Sequence, residues 1–152
     1  MSGQEFDGYS ESLHEGFRQG DSRVHEKEQE EANVRLLQDV ALAIGRDDLA
    51  AVGELFSDDI QLEIRSPREL PFIRSASGKE GVLTAIRHNF GEVRDQRPTI
   101  EAVVAQGNTV VVLSREEGII RASGERYDVH VMHRYVCRGG KVTLVQELIA
   151  PA

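Results

Sequence analysis

From Thr99 to its end the chain is written almost wholly in β-forming residues, cut into four runs by the short breaks Gly107-Asn108, Ser123-Gly124 and Gly139-Gly140. Breaks this short leave no room for a crossover helix, so consecutive runs must pair as antiparallel hairpins. The expected strands are 99–106, 109–121, 126–138 and 142–149. In the third, Tyr127, Val129, Val131, His133, Tyr135 and Cys137 alternate with a set that includes Arg126, Asp128, His130, Arg134 and Arg138. Period-two alternation marks a strand with one buried face, and it puts His133 on that face. The following strand brings Glu147 near it.

The first half reads differently. From Ala32, Val34, Leu37, Ala41 and Ile44, reinforced by Leu36 and Val40, recur at helical spacing up to Gly45. Asp47 is the expected N-cap of a second, short helix carrying Leu49, Val52, Leu55 and Phe56. A strand follows over 60–64, whose alternation turns Glu63 away from Ile60, Leu62 and Ile64. After a loop broken by Pro67 and Pro71, Ser77-Gly78-Lys79-Glu80 reads as a capping box. The helix it opens places Val82, Ala85, Ile86 and Phe90 on one side. The order implies an α+β fold, with helices gathered on one face of a curved, mostly antiparallel sheet.

Charge divides the chain. Residues 1–31 hold nine acidic residues against Arg18, Arg23 and Lys27, a net −6, which leaves −2 of the total −8 for the rest. This acidic, glycine-bearing lead is expected to be flexible or partly helical, with Leu13 and Phe17 able to form one apolar turn and His14 and His25 solvated. Residues 32–152 are expected to be one domain, a length that buries a core unaided. Nucleic acid is an unsuitable partner, because phosphate contacts need clustered Lys and Arg. No stretch reads as a signal peptide or a membrane span, and the lone Cys137 falls on an apolar strand face. A cytoplasmic protein is expected.

The run Gly45-Arg46-Asp47-Asp48-Leu49 through Leu55-Phe56-Ser57-Asp58-Asp59-Ile60, then Gly78 through Ile86 and Phe90, and finally Ser123 to Asp128, His133-Arg134-Tyr135 and Gly139-Gly140-Lys141-Val142 through Glu147, resemble in order and spacing a known family. It is the SnoaL-like and ketosteroid-isomerase-like proteins of the nuclear transport factor 2-like superfamily, matched over about residues 32–150. The resemblance implies a cone-shaped α+β barrel, its sheet wrapped around three N-terminal helices, with a pocket for a small apolar ligand. Members include cofactor-free isomerases, cyclases and dehydratases as well as binding and dimerisation modules, so the fold does not fix the function.

At the positions that serve the isomerases as base, tyrosine and protonated aspartate, this chain resembles the family with Ile64, Val40 and His133, so that machinery is absent. The cyclase branch, which carries a histidine on the penultimate strand and a carboxylate on the last, matches better. His133 and Glu147 are therefore the candidate catalytic pair, and Tyr135, Val131, Val40, Ile64 and Phe90 the candidate pocket wall. No cofactor and no metal site are expected.

Register decides whether the pair meets. A three-residue loop Gly139-Gly140-Lys141 with a bulge sets His133 opposite Glu147; a two-residue turn sets it opposite Gln146. The first agrees with the family's turn and leaves Val142, Leu144 and Leu148 outside, where members often dimerise, so a homodimer through the outer sheet face is expected. An interior plugged by Phe72, Phe90 or Tyr135 would instead favour a non-catalytic module. Asp128 and His130 read as solvated, His88 as exposed, Arg115, Glu116, Glu117 and Arg121 as a charged strand edge, and Gly118 as a bulge or bend.

Overall fold

The computed structural model describes residues 26–152, so the expectations for Leu13, Phe17, His14 and His25 lie outside the described residues. Helix α1 spans Glu26–Gly45 and starts six residues ahead of the apolar periodicity. Its first turn is built from strong helix formers, with Glu26 and Glu28 at the positive end of the dipole. It buries Asn33, Leu36, Leu37, Val40 and Ala43, a face rotated from the expected one so that Ala41 is exposed.

The end of α1 and the start of α2 (Leu49–Leu55) share one device. Asp47 takes a left-handed φ of 56°, its N–H donates to the Ile44 carbonyl and the Asp48 N–H donates to Ala43. This is a Schellman closure, made on an aspartate, which tolerates that region. Asp48, one residue after the expected Asp47, then caps α2 by accepting the Ala51 N–H at 3.0 Å.

Strand β1 (Phe56–Arg65) and the short β2 (Ser75–Ser77) precede α3 (Lys79–Gly91). No side chain caps α3: Gly78 is its N-cap, and Ser77 ends β2 instead, donating from Oγ to Gln61 Oε1 at 2.9 Å. The meander β3 (Val93–Gln106), β4 (Thr109–Ile120), β5 (Arg126–Arg138) and β6 (Lys141–Pro151) completes the chain. Strand β3 begins earlier than expected and contains Pro98, which is tolerated because β3 is an edge strand.

The six strands run in the order β2-β1-β6-β5-β4-β3, all antiparallel except β1 with β6. The sheet curls over the helices without closing, and β2 and β3 remain as edges. Inward residues of β1, Ile60 and Leu62, pack with Val52 of α2 and Val82 of α3 at 2% exposure or less. Burial on that scale is worth roughly 1.5–3 kcal/mol for each side chain. The far end of α1 is tied to the β3–β4 turn, where Asn33 Nδ2 donates to the Gly107 carbonyl and the Gly107 N–H donates to Glu30.

At the β5–β6 hairpin the structure combines the two alternatives. Gly139 and Gly140, at φ 58° and 74°, form a two-residue turn, since Arg138 pairs with Lys141. The register then shifts, because Cys137 pairs with Val142 but Val136 with Leu144, leaving Thr143 as a bulge. Its Oγ donates to the Val136 carbonyl at 3.2 Å. The extra residue thus sits in the strand rather than in the loop. Because the bulge reverses side-chain parity, Val142 is fully buried in the core and not on the outer face as expected, while Leu144 and Leu148 do face outward.

Candidate active site

Below the bulge the β5–β6 register sets His133 directly opposite Glu147. Both side chains are largely covered, at 25% and 22% exposure, and His133 Nε2 lies 3.2 Å from Glu147 Oε1. The adjoining carboxylate favours a hydrogen on Nε2 and fixes the ring's orientation. From behind, the Tyr135 ring stacks on the imidazole with centroids 5.5 Å apart and planes 3° from parallel. Burial, and then the nearby Glu147 charge, push the Tyr135 hydroxyl above its ordinary range, so it stays protonated.

The pair opens on a cavity of about 140 Å³ between the concave sheet face and α3. Its apolar wall is Leu62 and Ile64 of β1, Val131 of β5, Ile149 of β6, Phe72 of the β1–β2 loop, and Ile86 and Phe90 of α3. The polar lining is His133, Glu147, Asn89, Gln96 and Glu116. Of the residues expected there, His133, Glu147, Val131, Ile64 and Phe90 are present. Val40 is not: it is 6% exposed and packed in the helix–sheet core. Tyr135 is not in the wall either, since it lies one inward step further along β5, behind the imidazole. Glu63 faces outward as expected and accepts from Gln146 Nε2 at 2.7 Å.

The structure adds residues that were not expected. Glu116 is no edge residue, because β4 lies between β3 and β5, and by parity it joins Ser114 and Gly118 on the inner face. Its Oε2 accepts the Tyr127 hydroxyl at 2.9 Å and its Oε1 lies 3.5 Å from Gln96 Nε2. Burial, and then Glu116 itself, push the Tyr127 hydroxyl above its ordinary range. Gly118 does stand at a bulge, but the extra residue is on β3: the β3–β4 register slips between Arg94 and Arg97, which pair with Ile119 and Glu117, while the β4–β5 register runs unbroken and the missing side chain makes room for the Tyr127 ring. Asn89 clamps the loop carrying Phe72, donating to the Ile73 carbonyl at 3.1 Å and accepting the Ile73 N–H at 2.8 Å.

Strand alternation alone would have revealed Glu116. Gln96 had no such signal, because it enters through a β3 bulge.

On the outer face Arg115 grips Asp128 with two hydrogen bonds, of 2.9 and 2.5 Å, so Asp128 is paired rather than merely solvated. That hydrogen-bonded guanidinium holds the Asp128 carboxyl below its ordinary value. His88 is exposed and lies 3.4 Å from Glu92. Among the described residues no group of three or more His, Cys, Asp or Glu side chains is arranged to hold a metal ion, and no helix is long and apolar enough to cross a membrane.

The fold has many solved counterparts. A nuclear transport factor 2-like protein from Burkholderia xenovorans is 21% identical, with a TM-score of 0.69 over 79% of this chain and 90% of its own. An epoxide hydrolase of M. tuberculosis, described as LEH-like, is 19% identical, with a TM-score of 0.62 over 80% and 85%. A ketosteroid-isomerase-like protein from Catenulispora acidiphila, solved with trimethylamine, is 18% identical, with a TM-score of 0.60 over 74% and 82%. No curated protein matches the sequence. At these identities the structures establish the fold alone, whereas the family model for the SnoaL-like domain matches residues 35–145, most of the chain. The protein belongs to the SnoaL-like family, within the nuclear transport factor 2-like fold.

Proposed function

We propose that the protein binds a small, largely apolar molecule in the cavity and moves a proton on it through His133, with Glu147 steadying the imidazole. The observation that carries this is the pairing of His133 and Glu147 at 3.2 Å on the wall of an otherwise apolar recess. An imidazole held by a carboxylate beside an apolar ligand suits abstraction of a C–H proton next to a carbonyl. Ring closure by aldol attack, isomerisation and dehydration all begin that way. The residues that would make a ketosteroid isomerase are replaced by Val40 and Ile64, so the chemistry rests on the pair.

Size narrows the ligand. A cavity near 150 Å³ accepts a molecule about as large as benzene, and this one is about 140 Å³. One ring fits, and a fused polycycle does not without movement of Phe72 or Phe90. A second reading, a binding module that leaves its ligand unchanged, draws support from that narrowness. The outer face, where Leu113 and Leu148 are 41% and 43% exposed, supports assembly as a homodimer.

Cyclohexanone in D2O separates the two readings, since proton abstraction exchanges its α-hydrogens for deuterium in a signal followed by proton NMR. Acid–base catalysis by positioned groups is typically worth about 10²–10⁴-fold. His133→Ala and Glu147→Gln are each expected to remove acceleration of that order while folding stays cooperative. Acceleration that survives both substitutions rejects the assignment; binding without acceleration leaves the module.

A further inference from the structure

Two separate local arrangements converge on the Glu116 carboxylate, which lies on the cavity wall away from His133. Along β4 and β5, Glu116 pairs with Val129 and Val112 with His133, so the two functional positions stand four residues apart. At strand spacing that is about 13 Å of backbone. Gly118 gives up its side chain to admit the Tyr127 ring, and the hydroxyl then holds Glu116 Oε2. On β3 the register slips between Arg94 and Arg97, and Asp95 adopts φ 54°, which turns Gln96 into the cavity beside Glu116 Oε1. A carboxylate oxygen can accept two hydrogen bonds and each Glu116 oxygen here has one partner, so both keep capacity for a ligand.

The charge of the lining is one-sided. Glu116 and Glu147 contribute two carboxylates, and among the described residues no lysine or arginine lines the cavity. Even with His133 protonated, the negative groups outnumber the positive one. An anion entering such an apolar recess would lose its hydration without finding a partner. A cation would find Glu116 and the aromatic rings of Phe72 and Phe90.

We infer that Glu116 is the specificity-determining anchor of the cavity, and that the ligand is a single-ring molecule bearing a protonated amine. This rests on the reading of the cavity as a ligand site. It adds a charged end to an otherwise apolar guest.

Benzylamine, benzyl alcohol and benzoate share one ring and differ in charge, so their affinities at pH 7, measured by calorimetry, test the inference. Benzylamine is expected to bind at least about tenfold more tightly than benzoate, the scale of one charge-assisted hydrogen bond. Glu116→Gln should lose about tenfold for benzylamine and little for benzyl alcohol, while Glu63→Gln on the outer face, which removes the same charge, changes neither. Nuclear Overhauser contacts between the benzylamine methylene and Tyr127 in the unaltered protein are expected as well, and they decide the matter should the glutamine variant fail to fold. Benzoate binding as tightly as benzylamine, equal responses of the two glutamine variants, or the absence of those contacts overturns the inference alone. If none of the three binds, the ligand-site reading falls with it.

Discussion

The ring of Tyr127 occupies the space in which a side chain on Gly118 would begin. The two residues pair directly across β4 and β5, and a Cβ on Gly118 would fall 2.4 Å from the Tyr127 hydroxyl oxygen. Real Cβ atoms do not approach that closely, so the tyrosine position that holds Glu116 exists only while residue 118 is glycine.

Gly118→Ala is therefore expected to displace the ring and lose its hydrogen bond to Glu116, at a cost of about 1–3 kcal/mol, typical of overpacking. Urea unfolding should show a lower midpoint with an unchanged slope. In a Tyr127→Ala background the same substitution should cost little, since the clash is gone. Equal costs in both backgrounds would refute the coupling.

The Thr143 bulge makes a second expectation. Deleting the bulged residue leaves Val136 opposite Leu144 and Cys137 opposite Val142, the pairs already present. The deletion should fold cooperatively, lose about 1 kcal/mol with the Thr143 hydrogen bond, and retain nuclear Overhauser contacts between His133 and Glu147. Deleting Gly140 instead breaks the turn that needs φ 74° there. Loss of the His133–Glu147 contacts in the Thr143 deletion would mean that the bulge, not the turn, sets the register.

Cys137 is fully buried, and burial pushes its thiol up to about 11 from 9.0. A thiol whose pKa is higher in the folded than in the unfolded chain contributes stability that is complete below about pH 9 and lost as pH rises toward 11. Native protein should resist a thiol-reactive disulfide reagent at pH 8 and react only on unfolding. Cys137→Ala should flatten that part of the alkaline stability profile. Rapid labelling of the folded protein would contradict the packing.

Leu113 and Leu148 lie on the outer face of the sheet, close to half exposed. Sedimentation at micromolar concentration is expected to give a dimeric mass, and Leu148→Glu to give a folded monomer, because burying a carboxylate in an apolar seam costs its hydration. A monomeric mass for the unaltered protein counts against the dimer.

The sequence by itself determined the elements that local chemistry dictates. Two-residue glycine breaks and period-two alternation defined the four-strand meander, with 126–138 placed to the residue, and apolar spacing located the helices. Boundaries moved wherever a neighbour supplied what the local sequence lacked. Helix α1 gains a turn because Glu30 and Asn33 meet the β3–β4 turn, and Ser77 bonds Gln61 across β1 and β2 instead of capping α3.

The site divides in the same way. His133, Val131 and Ile64 were legible because strand parity assigns a face without reference to any partner, and Phe90 because helical spacing does, whereas Glu147 depended on the hairpin register and was placed by resemblance to the family's turn. Val40 and Tyr135 share the inward side but lie beyond the cavity, and depth along a face is a property of packing. Gln96 enters through a bulge, Glu116 is held by a tyrosine eleven positions away, and the extra residue of the last hairpin is taken up at Thr143 within the strand instead of in the loop. Only the tertiary structure decides these, because a bulge and a cross-strand clash are settled between two segments, while periodicity describes one segment at a time.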